Sequence, residues 1–456
     1  SGLDGDSKYY MRVKAMSSTA NESKWVYYKD GSSFKTKAEQ IFNNVEATDL
    51  FEDHVNLSWT PGADVTHITY ANANDAENIQ TINLTAEEKA AGKYTLAGLQ
   101  PTSTYTITIY KNDVKRGQLQ ITTPAAMPAA DYKYSLASDV TVISQTLIDE
   151  IAEQAKAKAG NATNYSATIG IPAGAKVALY GTNDSDGGKT NVTIPDGMSV
   201  TFFGLAGGDA PTINLDKNFD VAGSHAFIKF QNVKLEENGA GYFINQSKAC
   251  TVSEFTLEDC EVSNIKNSFF RLQGSDAKSI SKLTLKNSIF TKLCAGYGFI
   301  HIDAKSGAGH LDNVKIDGCT FNSICVTGKV FIYSNNTDMQ DITIKNSTFY
   351  NCNGNGQYFV DFGKDAKFGP NTFTIESCIF GKSADEATNK NIRSKTPATV
   401  SNSFRTTDFF KVIKGVIDTE FSSEQLFTDP ANGNFTIKAG TLKEKAGDPR
   451  WYVVED

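Results

Sequence analysis

The sequence predicts an all-β protein in two parts, an antiparallel sandwich followed by a long stack of parallel strands. Residues 44–124 alternate apolar and polar side chains in short runs split by turn signals, the mark of half-buried antiparallel strands. From residue 230 onward a six-residue pattern recurs every 27–31 residues. That period is too short for a four-stranded propeller blade, so stacked solenoid rungs remain. Composition agrees: 28 Phe, 18 Tyr and 36 Gly stand beside only 11 Pro, and the 40% apolar content excludes wholesale disorder. With 44 basic and 52 acidic residues, a net charge of −8 and no basic run, no nucleic-acid footprint is present. No stretch of 18 apolar residues offers a membrane-spanning helix.

In the first part, Val55, Leu57 and Trp59 share one face of a strand, followed by Ile68 and Tyr70, Ile79 and Ile82, and Tyr105, Ile107 and Ile109. With Trp59 on an early strand and Tyr94-Thr-Leu-Ala-Gly-Leu-Gln-Pro-Thr-Ser-Thr-Tyr105 ahead of a late one, residues 41–124 resemble a fibronectin type III domain. Tyr105 stands where that family has its corner tyrosine. Residues 1–37, with Asp4-Gly-Asp-Ser-Lys-Tyr-Tyr-Met-Arg-Val-Lys-Ala15, Trp25 and Phe34, are similar to the last two strands of a truncated preceding domain of the same kind. Two strands alone bury no sandwich core, so earlier residues are expected to have been removed. Ser1-Gly-Leu-Asp-Gly shows neither the charged flank nor the apolar core of a leader, so no compartment is read from it.

Residues 125–138 read as a linker. Ser144 then caps a helix whose Leu147, Ile148, Ile151, Ala152 and Ala155 lie on one face, with Gly160 just past its end. Such a helix covers the open end of a sheet. The repeat follows: Phe230–Leu235, Leu257–Val262, Leu285–Phe290, Ile316–Phe321, Ile344–Phe349 and Ile375–Phe380, each continuing ten to twelve residues later into an aromatic strand. Its fourth position alternates small residues at Cys260, Ser288, Cys319, Ser347 and Cys378, as an internal stack would. Earlier rungs are expected at 169–171, 177–179, 192–194, 200–202 and 213–215. Across 139–456 the pattern resembles the right-handed parallel β-helix of the pectate-lyase superfamily. The ending Thr428–Phe435 with Ala446-Gly-Asp-Pro-Arg-Trp451 is similar to uncharacterised pectate-lyase-like proteins of Gram-negative gut anaerobes. That resemblance implies a location outside the cell or on the outer-membrane surface. It also implies membrane attachment only through a missing N-terminal anchor, and association with other surface glycan-uptake proteins.

All seven cysteines lie in the C-terminal half, and an odd number without paired spacing argues against a disulfide framework or zinc ligation. Cys260, Cys319 and Cys378 are expected as buried, inert thiols.

Strand alternation places Ile244, Leu272, Ile302, Ile332 and Val360 inward, and Asn245, Arg271, His301, Tyr333 and Asp361 outward in a polar column about 20 Å long. Asp303 lies nearby. A second outward column is expected of Phe269 and Phe299, joined by Phe243, Phe331 and Phe359. Aromatic faces beside Arg, His and Asp suit sugar rings and their carboxylates; the competing reading is core phenylalanines and a solvated polar face. For catalysis, His301 or Tyr333 would act as acid or base with Arg271 neutralising a carboxylate, and Asp361 is the remaining candidate. Asp303 and Asp361, ~10 Å apart by rung count, are marginal as a hydrolase pair. His54, His67, His225 and His310 show no partner at ligand spacing. No cofactor is called for. Calcium stays open through the superfamily resemblance, and Asp184-Ser-Asp-Gly-Gly188 reads as a turn before it reads as a calcium loop. The expectation is thus a surface protein that binds an extended, acidic polysaccharide or oligosaccharide. A polysaccharide lyase or glycoside hydrolase and a structural adhesin are the alternatives.

Overall fold

The computed structural model describes residues 3–452 apart from 4, 6, 20, 47, 48, 184, 365, 366, 387–389, 443 and 444. Asp4 and Asp6 of the first hairpin and Asp184 of the 184–188 turn therefore lie outside the described residues. The chain forms two compact units, Ser1–Ala126 with Ala206–Gly208, and Met127–Leu205 with Asp209–Asp456.

In the first unit, strand His54–Ser58 pairs with Lys93–Ala97, and a second sheet runs in the order Val114–Thr122, Thr104–Lys111, His67–Asn72, Asp75–Asn83, all antiparallel. Val55, Leu57, Trp59, Ile68, Ile107 and Ile109 fill the space between them. The Gln100 amide donates to the Tyr105 hydroxyl at 2.8 Å, closing a tyrosine corner. The sandwich is fibronectin type III-like. Ile79 departs from expectation: it is exposed, because it stands an odd three positions from Ile82 and strand alternation sends the two to opposite faces. Ahead of the sandwich, Lys8–Tyr10 pairs with Ser33–Lys35 and Arg12–Val13 with Val26–Tyr27, leaving Tyr10, Val13 and Val26 exposed.

The second unit is a right-handed parallel β-helix with three sheets of ten, eleven and eight strands. Leu257 pairs with Leu285 and Val262 with Phe290, both in parallel, so each sequence repeat is one rung. The helix Gln145–Lys158 begins at Ser144, whose hydroxyl accepts from the Leu147 amide, and buries Ile148, Ile151, Ala152 and Ala155 against the first rungs. Residues 125–138 are not all linker. Tyr132–Ser135 is the first strand of the ten-stranded sheet, paired with Ala167–Gly170, and Tyr132 and Tyr134 pack against the core. Four residues are too few for the alternation to stand out beside the Ala- and Pro-containing stretch before them.

The rungs from Phe269 to Phe380 repeat the same internal solution. Phe269, Phe299, Phe331 and Phe359 stack face to face at 4.7–5.1 Å, and Phe290, Phe321, Phe349 and Phe380 do likewise at 4.8–5.1 Å. The two columns meet edge to face, which suits the ring quadrupoles. One corner turns on a left-handed residue in successive rungs, Asn232, Asp259, Asn287, Gly318, Asn346, Ser377 and Asn402; all but Ser377 are Asn, Asp or Gly, the types most tolerant of it. The next position holds the small-residue ladder. Ser288, Ser347 and Ser403 hydroxyls accept the amides of Cys260, Cys319 and Cys378 at 3.0–3.3 Å. All seven cysteines are buried and free, and burial pushes the Cys260 and Cys378 thiols up to about 12.

The C-terminal segment folds back on the outer face of the eleven-stranded sheet. Asp448 accepts from the Thr320 hydroxyl at 2.7 Å and donates its amide to Thr348 at 3.0 Å, while the Trp451 indole donates to Thr320 at 2.7 Å. Gly447 (φ +80°) permits the approach, since a Cβ there would stand 2.7 Å from the Thr348 hydroxyl. Outward residues on these rungs, Ile379 and Phe404, are apolar and pack with Leu426, Phe427 and Phe435 under the strap.

Phe331 sits at 0% exposure between Phe299 and Phe359. Phe331→Ala should lower stability by about 3–5 kcal/mol in urea unfolding. Tyr358→Ala, at a half-buried surface position, should cost far less.

Candidate functional site

The eight-stranded sheet aligns Asn245, Arg271, His301, Tyr333 and Asp361 on successive rungs, as the alternation predicts, and adds Arg393 below Asp361. These side chains interlock. Arg271 grips Asp303 with two bonds, Nε to Oδ1 at 3.1 Å and Nη2 to Oδ2 at 2.6 Å, and lies 3.8 Å over the Tyr297 ring. Tyr297 in turn packs against Tyr242 and, edge-on, against His301. His301 stacks on Tyr333 at 4.5 Å, accepts the Gly298 amide at Nδ1, and points Nε2 at Asp303, 3.7 Å away. One rung pair further on, Arg393 grips Asp361 with bonds of 2.6 and 2.7 Å and lies over Tyr358. Burial opposes the charge on Asp303, but the nearby His301 and the two hydrogen bonds from Arg271 outweigh it and hold the carboxyl at about 2. Burial, with Asp361 and Asp303 nearby, pushes the Tyr333 hydroxyl above its usual range.

The expected second column is corrected. Phe243, Phe269, Phe299, Phe331 and Phe359 are interior, at 0–2% exposure, and cannot touch a ligand. Phe299 and Phe331 precede their strands, Ile300–Ile302 and Ile332–Ser334, and sit on the bend where inside–outside alternation fails. The aromatic rings that do reach the surface of this face are Tyr242, Tyr297, Tyr333 and Tyr358. Tyr297 belongs to a Gly-Tyr-Gly loop whose sequence signals only a turn. Arg393 lies on a rung, Asn391-Ile392-Arg393, that lacks the paired-aromatic signature, so periodicity alone does not reach it.

Arg271 spends its fork on Asp303, and its side chain is 12% exposed, so it offers an incoming carboxylate little. Asp303 and Asp361 are each claimed by an arginine and do not form a free carboxylate pair. Among the described residues no three His, Cys, Asp or Glu side chains converge at metal-binding distance. This donor set does not fit calcium, which takes six to eight oxygens. Surface hollows lie on the sandwich beside Asn56, Glu88 and Tyr94, and where Asp448 and Arg450 cross Asp259 and Asn287.

A family model described as a domain of unknown function (DUF5123) matches residues 342–451, the last rungs and the strap. No curated protein matches the chain. Among solved structures, the FN1-FN3 domains of chicken CNTN1 are similar at 17% identity and a TM-score of 0.16, the match covering 27% of this chain and 42% of that one.

Asp303 is depressed, so its stabilising contribution is complete above the ordinary carboxylate range near ~3.9 and is lost as pH falls toward about 2. Asp303→Asn should destabilise the protein at neutral pH by about 1.5–3 kcal/mol. In urea unfolding the difference from wild type should shrink between pH ~4 and ~2.

Proposed function

We propose that this chain is a surface polysaccharide-recognition protein that holds an extended glycan along the eight-stranded face of the β-helix. The observation that carries the reading is the surface row of Tyr242, Tyr297, His301, Tyr333 and Tyr358, ordered by two bidentate Arg–Asp pairs. Tyrosine offers a flat apolar face and a hydroxyl at little entropic cost, which suits the two chemistries of a sugar ring. Because Arg271 and Arg393 are already neutralised, the face favours hydroxyl-rich over strongly acidic glycans. A uronate or sulfate would have to displace Asp303 or Asp361 first.

The resemblance to pectate-lyase-like surface proteins of Gram-negative gut anaerobes supports a location outside the cell, with other surface glycan-uptake proteins as neighbours. On this reading the fibronectin-like sandwich is a spacer.

A panel of neutral and acidic polysaccharides, screened by affinity electrophoresis and followed by calorimetry, tests the reading. Tyr297→Ala and Tyr333→Ala should each weaken binding about threefold to tenfold, the range of one aromatic contact. Unchanged affinity in both variants would place binding elsewhere. Accumulation of unsaturated products would identify a lyase instead, and no binding across the panel would leave the adhesin reading.

A further inference from the structure

We propose that Cys294 and Cys325 are a modification site, a pair of thiols on adjacent rungs that joins into one cross-rung disulfide under oxidising conditions. The pair is set by register. Leu293 pairs with Ile324, so the next residues, Cys294 and Cys325, stand one above the other, and the Cys325 amide donates to the Leu293 carbonyl at 3.0 Å. Rungs ~4.8 Å apart put their Cα atoms within the roughly 4.4–6.8 Å that a disulfide spans. Both residues take left-handed backbone, at φ +69° and +58°, and both point into the core at 0% exposure. Burial, followed by contact with the Cys294 thiol, pushes the Cys325 thiol well above its ordinary range, as expected where two sulfurs face each other in an apolar corner.

The other cysteines are not so placed. Cys260, Cys319 and Cys378 alternate with serines, which separates successive thiols by two rungs, ~10 Å. Cys352 sits on the rung after Cys325, but there it is Gly354, not Cys352, whose amide bonds the Cys325 carbonyl, so Cys352 lies diagonally. Both thiols are fully buried, so an oxidant reaches them only through local opening of the rung. A surface hollow of about 150 Å³ has Leu293, Cys294 and Ala295 in its lining but not Cys325, which makes Cys294 the thiol nearer the surface.

With a small disulfide such as oxidised glutathione, the Cys294 thiol loses its proton and attacks one sulfur. Glutathione thiolate leaves, and a mixed disulfide remains on Cys294. The Cys325 thiolate then attacks the Cys294 sulfur and expels the second glutathione. Two protein thiols are oxidised, one disulfide is reduced, and the two protons pass to the two departing thiolates.

The test uses the full chain, reduced and then incubated with oxidised glutathione, denatured, alkylated and mapped by mass spectrometry. Two of the seven thiols should resist alkylation, in a cross-linked peptide pair containing Cys294 and Cys325. The oxidised protein should unfold at higher temperature. Cys294→Ser and Cys325→Ser should each abolish the cross-link and the shift, while Cys260→Ser keeps both. Seven alkylated thiols, a glutathione adduct that goes no further, or a bridge from Cys325 to Cys352 would overturn the assignment.

Discussion

Each rung of the β-helix takes its backbone hydrogen bonds from the rungs above and below, and that single constraint organises the rest. At ~4.8 Å spacing, in register, whatever one rung places at a position meets its counterpart directly. Identical rings gain from this, so phenylalanine repeats on two inner columns. Identical charges lose, so the outer column of the ten-stranded sheet alternates Glu258, Lys286, Asp317, Lys345 and Glu376, with ion pairs of 2.7 Å at one end and 2.6 Å at the other. The cysteine–serine column answers the same demand with hydrogen bonds, each serine accepting the amide of the cysteine on the preceding rung.

The eight-stranded face departs from repetition. Asn245, Arg271, His301, Tyr333, Asp361 and Arg393 are aligned but chemically unlike, and the stack closes only because cations find carboxylates and rings find rings. A column maintained for stability alone would repeat, as the others do. The broken repeat with its matched charges is the feature on which the proposed recognition role rests. The same pairing neutralises Arg271 and Arg393 within the column itself.

The period, the parallel stacking and the outward column were legible because they depend on spacing and alternation, which survive without coordinates. Phe299 escapes the alternation because it sits on the bend before Ile300–Ile302, whereas Phe269 escapes it inside the strand Ser268–Leu272. In that strand two neighbours, Phe269 and Phe270, are both buried. The Arg271–Asp303 and Arg393–Asp361 pairs join residues 32 positions apart, and only the exact rung length brings them together. Tyr297 and Tyr132–Ser135 were hidden in short loop-like stretches, where composition outweighs pattern. The sandwich, by contrast, was readable down to its corner tyrosine, because that motif lies within six residues of chain.

The strap at 446–451 changes how the β-helix would bear mechanical load. A solenoid pulled at its last rung peels, one rung at a time, each step breaking few bonds. Here Asp448 and Trp451 are fastened to Thr320, and Asp448 to Thr348, rungs well inside the stack. Tension arriving beyond Trp451 is therefore delivered to interior rungs as shear, which must break several bonds at once, and the terminal rungs at 399–418 are spared.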